Sequence, residues 1–213
     1  MRAQTERLIE IESEGVRLQG MLGLPEGAQG IVLFAHGSGS GRFSPRNQFV
    51  ASVLREAGLG TLLIDLLEEW ESEDREKVFN INLLAERLMI ATEWLQSDEA
   101  TKDMAIGYFG ASTGAAAALQ AAASLGDEVG AIVSRGGRPD LAMNYLQQVT
   151  APTLLIVGGR DFPVIQMNQQ AYERLKAEKQ IVVIPGATHL FEEPGALEEV
   201  AKLAGEWFGK YLT

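Results

Sequence analysis

Apolar and polar residues first alternate along the chain and then gather into blocks. From Arg7 to Leu24 the runs RLIEIES and VRLQGMLGL flank Glu14-Gly15, a period-two pattern with a turn signal between, which predicts an antiparallel hairpin at a sheet edge. The pattern then changes. Ile31 to Ala35, Thr61 to Leu67, Met104 to Phe109, Val129 to Ser134, Thr153 to Val157 and Ile181 to Ile184 are short apolar runs without alternation, as expected of strands buried on both faces of a parallel sheet. Between them lie stretches of helical spacing: Asn47 to Ala57, Asn80 to Gln96, the alanine-rich segment from Thr113 to Leu125, Pro163 to about Glu178 and Ala196 to Tyr211. A further helix is expected to start near Pro139, with Asp140 in its first turn. The charged stretch EEWESEDREK is expected as a solvated loop.

Strands alternating with helices predict an α/β fold, a mostly parallel twisted sheet covered on both faces and opened by the antiparallel hairpin. No linker or repeat divides the series, so residues 1–213 are expected to form one domain.

In such sheets ligands bind beyond the carboxyl ends of the strands, and the polar residues of interest follow those ends. Gly110-Ala111-Ser112-Thr113-Gly114 joins the uncharged strand from Met104 to the alanine-rich segment. A serine in that turn is held in a cramped backbone, with its hydroxyl exposed at a helix amino end that favours negative charge. Such a hydroxyl needs a base to take its proton and a third group to orient the base. The chain has two histidines, His36 and His189. His189 is expected as the base because it completes the chain order serine, acid, histidine. His36 stands in a glycine-rich loop, HGSGSG, where it is expected to pack for support. Asp161, after Gly158-Gly159-Arg160, is the expected acid, with Asp140 the rival one strand earlier and Asp65 a structural carboxylate. The oxyanion hole is expected from the backbone N–H groups of Thr113 and Ser38. Arg42, Phe43, Arg135, Phe162 and Phe191 adjoin these loops as candidate pocket residues, and Arg135 is singled out as a cation able to hold a substrate carboxylate.

Composition narrows the field. With 29 acidic against 18 basic residues the net charge is −11, which argues against nucleic acid or an anionic membrane as partner. No apolar run approaches a membrane span, the amino end lacks the apolar stretch of a signal peptide, and a cytoplasmic location is expected. The absence of cysteine excludes disulfides and thiolate ligands, and two histidines make a histidine-rich metal site untenable. The glycine-rich loop lacks both phosphate-cradle patterns.

On these residues the chain resembles the α/β-hydrolase superfamily and, within it, the small lidless hydrolases of the dienelactone-hydrolase-like group. The resemblance runs from His36-Gly37 through Gly110-Ala111-Ser112-Thr113-Gly114 and Gly159-Arg160-Asp161 to Gly186-Ala187-Thr188-His189. It implies the α/β-hydrolase fold and hydrolysis of an ester through an acyl-enzyme, without cofactor or metal. Dienelactone hydrolases proper carry cysteine where this chain has Ser112, which points to a serine carboxylesterase. No extra length for a lid appears between the Val129 and Thr153 strands, and this suits small or short-chain esters. Two alternatives share the fold: transfer of the acyl group to an acceptor other than water, and a non-catalytic binding protein.

Overall fold

The structure, a computed structural model, describes residues 4–213. Its frame is one eight-stranded sheet in the order β1-β2-β4-β3-β5-β6-β7-β8. β1 (Gln4–Ser13) and β2 (Val16–Pro25) form the predicted hairpin about Glu14-Gly15, in register from Gln4 opposite Pro25 to Ser13 opposite Val16. β2 pairs antiparallel with β4 (Gly60–Ile64), and every later pairing is parallel: β3 (Gly30–Ala35), β5 (Ala105–Ala111), β6 (Val129–Arg135), β7 (Thr153–Gly158) and β8 (Lys179–Ile184). Burial explains the uniform apolar runs of β3, β4 and β7, which are buried at every residue; β8 departs from that expectation, because as the edge strand it lacks a neighbour on one side and buries only Ile184.

Helices cover both faces. α4 (Ile81–Ser97), α5 (Thr113–Leu125) and α6 (Phe162–Arg174) close one core around Leu33, Tyr108, Ile132 and Leu155; α1 (Pro45–Glu56) and α7 (Ala196–Tyr211) close the other around Phe34, Phe109, Val133 and Ile156. Each such side chain contributes about 1.5–3 kcal/mol by leaving water. The alanines of α5 let that helix lie close to α4 and to the sheet: Ala115 to Ala118 are all fully buried.

Three expectations need correction. The helix expected from Pro139 is only a 3₁₀ turn, Pro139–Ala142. Its start is tied instead to the elbow and to itself, by the Arg138 N–H on the Ser112 carbonyl (3.0 Å) and by the Arg138 side chain on Asp140. α6 ends at Arg174 instead of running to about Glu178, because the Lys179 ammonium donates to the carbonyls of Tyr172 and Leu175 and caps the final turn. The charged stretch is not all solvated loop. It holds two single-turn helices, α2 (Glu69–Ser72) and α3 (Arg75–Val78), and Glu71 is buried, paired with Arg87 of α4 at 3.0 Å.

Candidate active site

After β3 the chain goes to β4 on one side of the sheet and then to β5 on the other, so β3 and β5 flank the point where the order reverses. A crevice opens beyond the carboxyl ends of strands at such a point. Ser112 stands there, between the end of β5 and the start of α5, with φ 52° and ψ −122°. A non-glycine residue with positive φ stores strain that the surroundings must hold. The two glycines of the motif permit the turn. A Cβ on Gly114 would collide with the Ala35 carbonyl, and one on Gly110 with the Cα of Ala115. Ser112 makes no capping hydrogen bond with its side chain, so its hydroxyl is free of the structural role a serine at a helix start commonly takes.

The imidazole arrives from the loop after β8. His189 Nδ1 lies 2.6 Å from Asp161 Oδ2. Asp161 precedes α6 but does not cap it, which leaves the carboxylate for the histidine. The carboxylate is mostly buried, while the imidazole is more than a third exposed. With Nδ1–H donating to a carboxylate, Nε2 is left as a proton acceptor. Asp140, the rival acid, is taken by Arg138 in a two-point pair at 2.9 Å.

Both Ser112 and His189 rest on the turn after β6. The Ser112 N–H donates to the Arg135 carbonyl and its own carbonyl accepts from Arg138. Gly136, at φ +51°, offers bare backbone against which His189 sits: a Cβ there would lie 3.3 Å from the His189 carbonyl and 3.5 Å from its Cε1. The serine hydroxyl and the imidazole are not hydrogen-bonded to each other; among the described residues His189 bonds Asp161 alone.

Opposite Ser112 lies the glycine-rich loop. His36 is buried; its Nε2 accepts from the Leu66 N–H and its Nδ1 donates to the Gly37 carbonyl, both at 2.9 Å. Burial pushes its pKa down, against weaker upward pulls from the Gly37 bond and Asp65. Arg42 is ion-paired with Asp65, whose carboxylate also accepts the Arg42 backbone N–H. Arg42 is thus committed to bracing the loop. The Ser38 N–H donates to the Thr113 hydroxyl at 3.1 Å, a cross-link between the two expected oxyanion donors that sequence reasoning missed.

A cavity of about 1080 Å³ opens beside this loop, lined by Ser38, Phe43, Arg46, Leu67 and Val78 among others; neither Ser112 nor His189 is in its wall. Phe43 and Phe162 are exposed. Phe191 is a correction: expected in the pocket, it is buried in the core against Val133 and Ile156, with φ 55°. Apolar burial of the ring outweighs the strained backbone there. Glu193 also went unnoticed in the sequence; it accepts from the Thr188 hydroxyl and N–H and ties down the histidine loop. Among the described residues no cluster of three or more His, Asp or Glu side chains is arranged to hold a metal ion, and no helix is long and apolar enough to cross a membrane.

Comparison with known proteins gives the chain a family. A family model described as "Dienelactone hydrolase family" matches residues 20–211. A crystal structure of a dienelactone hydrolase from Anabaena variabilis ATCC 29413 is 57% identical, with a TM-score of 0.96, and covers 99% of each chain. Est1E from Butyrivibrio proteoclasticus, 17% identical with a TM-score of 0.82 over 95% of this chain and 98% of its own, shares the fold. Two Mycobacterium tuberculosis proteins, from strains CDC 1551 / Oshkosh and ATCC 25618 / H37Rv, are 55% identical over 204 residues and carry the name "Putative phosphoribosyl transferase". The match takes in 96% of this chain but 46% of theirs, so the chain spans about half the length of these relatives.

Proposed function

The chain belongs to the dienelactone hydrolase family, and on that premise we propose that it is a serine hydrolase of small carboxylic esters, working through an acyl-enzyme. The observation that carries the reading is the 2.6 Å contact of His189 Nδ1 with Asp161, which leaves Nε2 to act as the base for Ser112.

In this mechanism the Ser112 Oγ bonds to the acyl carbon as His189 Nε2 takes the hydroxyl proton. The carbonyl oxygen becomes an oxyanion, received by the backbone N–H of Thr113 and that of Ser38, which exchanges its bond to the Thr113 hydroxyl for one to the charge. A donor of this kind is worth about 2.7–4 kcal/mol in the transition state. Collapse breaks the bond to the alcohol oxygen, which leaves with the proton from His189. Water then adds to the acyl-serine by the same path, its proton passing to His189 and on to Ser112 as the acid departs. The connection between β6 and β7 holds only two 3₁₀ turns and adds no lid, which supports small acyl groups over long ones.

The name phosphoribosyl transferase is borne by relatives of about twice the matched length. For this chain, a nucleophile elbow with a carboxylate-held histidine supports acyl transfer to water.

The test is intact-mass spectrometry after treatment with a fluorophosphonate, on the parent chain, Ser112→Ala and His189→Ala. One adduct, absent from Ser112→Ala and strongly slowed in His189→Ala, is expected. No adduct, or one indifferent to His189, refutes the proposal.

A further inference from the structure

Strand order gives Ser112 two sides. The loops after β7 and β8, which carry Asp161 and His189, lie to one side of the elbow after β5, and the loops after β3 and β4 lie to the other. The cavity of about 1080 Å³ is on that second side, walled mainly by the β3 loop and by the segment that follows β4. It meets the elbow directly. Gly37 and Ser38 stand in its wall; a Cβ on Gly37 would lie 3.1 Å from the Ser112 Cβ, and the Ser38 N–H reaches the Thr113 hydroxyl at 3.1 Å. In the proposed acyl transfer the departing alcohol takes its proton from His189 and must face it. The alcohol therefore leaves on the β8 side, and the cavity on the β4 side remains for the acyl group.

The cavity is preformed. Glu69 and Ser72 of α2 and Val78 of α3 close one side of it. Glu71 pins both short helices, its carboxylate accepting from Arg87 at 3.0 Å, from Lys77 at 3.4 Å and from the Glu68 N–H at 3.0 Å. Glu71 and Arg87 are buried, so water and salt compete little for that pair.

The chemistry of the wall selects the class. Four carboxylates, Glu10, Asp65, Glu68 and Glu69, stand in it against three guanidiniums, and each guanidinium already holds a carboxylate: Arg17 that of Glu12, Arg42 that of Asp65, Arg46 that of Glu192. An anionic acyl group would meet net repulsion there. Arg135, singled out from the sequence to hold a carboxylate, is buried and is not part of this wall. The apolar part of the wall is Leu67 and Leu84, both buried, with Val78 packed on the same core. Phe43 adds a ring. The Arg42 guanidinium lies 4.4 Å from its centre, and the residue is still 60% exposed, so a flat face stays open to a second ring. We propose that this cavity is the acyl subsite and that it takes an uncharged aromatic acyl group, stacked on Phe43. The inference rests on the serine-hydrolase reading, since His189 defines the acyl side, and the bonds made and broken are those already given.

The test compares kcat/KM on two isomeric esters at pH 7.5: methyl benzoate, with the ring on the acyl side, and phenyl acetate, with the ring on the alcohol. Phe43→Ala should lower kcat/KM on methyl benzoate by about fivefold or more. Ser72→Phe, which fills the cavity from an exposed position, should lower it by about tenfold or more. Both losses should be smaller on phenyl acetate. Methyl 4-methylbenzoate against monomethyl terephthalate isolates the charge, and the neutral ester should be favoured by about fivefold or more. Circular dichroism and fluorophosphonate labelling of each variant report on fold and triad. Equal losses on the two isomers, no loss on methyl benzoate in either folded variant, or a preference for the terephthalate overturns the proposal. If the parent chain is labelled yet the isomers do not separate, the subsite falls and the hydrolase stands. If the parent is neither labelled nor turns over any ester, the hydrolase reading falls and takes the subsite with it.

Discussion

His36 is the most exposed of the site's supports to a change of pH, although it is buried and takes no part in the proposed chemistry. Its Nε2 accepts from the Leu66 N–H and its Nδ1 donates to Gly37. A second proton would have to sit on Nε2, where it meets an N–H. Burial therefore holds the folded pKa below the ordinary 6.5. Below pH 6.5 the unfolded chain takes up a proton that the folded chain refuses, so stability is lost as pH falls, until the lowered folded pKa is reached. For one proton the slope is about 1.4 kcal/mol per pH unit. His36→Gln removes the titrating ring and leaves the Leu66 N–H without its acceptor, at a cost of about 1–3 kcal/mol at pH 7.5. Urea denaturation followed by fluorescence of the three tryptophans, at steps from pH 8 to pH 5, measures both effects. Carboxylates titrate alike in the two chains and cancel in the difference. The parent should start more stable and lose its advantage below pH 6.5. Parallel pH profiles would refute the assignment of a buried neutral imidazole.

The oxyanion donors, being main-chain atoms, have one side-chain handle. Thr113→Val deletes the acceptor of the Ser38 N–H, should cost about 0.5–1.5 kcal/mol of stability, and should raise kcat/KM on a neutral ester by up to about tenfold, since the N–H no longer leaves a partner. A large fall instead would mean that the hydroxyl holds the loop in its working position. Gly136→Ala puts a methyl group 3.3 Å from the His189 carbonyl and the Phe191 ring at a positive φ. The strained backbone should cost about 1–2 kcal/mol, a drop in Tm of about 2–8 °C, and displacement of His189 should lower kcat/KM by roughly 10- to 100-fold. Unchanged kcat/KM would show that His189 is not seated on that turn.

Ser112, Asp161 and His189 were legible because each follows a strand end, and a parallel sheet delivers strand ends to one edge whatever the loops do. The hairpin was legible from its alternation, and the elbow from two glycines that nothing larger can replace. What escaped the reading depends on contacts between distant residues. Arg42 adjoins the site in sequence, yet it is spent on Asp65, 23 positions away. Phe191 sits two residues from His189, yet it turns into the core through a backbone conformation that an aromatic residue seldom adopts. Glu71 read as one more charge in a charged run because its partner Arg87 lies a helix away.

Those same long-range contacts explain how a site built on loops is held without a lid. The loop after β4 is tied to that after β3 by His36 on Leu66 and by Arg42 on Asp65. The loop after β3 reaches the elbow through Ser38 and Thr113, and the elbow reaches the β6 turn through Arg135 and Arg138. Gly136 joins β7 through the Ile156 carbonyl, and the β7 loop joins the β8 loop through Arg160 on Ala187 and through Asp161 on His189. The ties run without a gap from β4 to β8, and each bond is short because neighbouring strands are fixed about 4.8 Å apart. The loops that carry Ser38, Ser112 and His189 are therefore fixed relative to one another, so that on the proposed mechanism the rearrangement left for substrate binding is the small exchange of the Ser38 N–H bond.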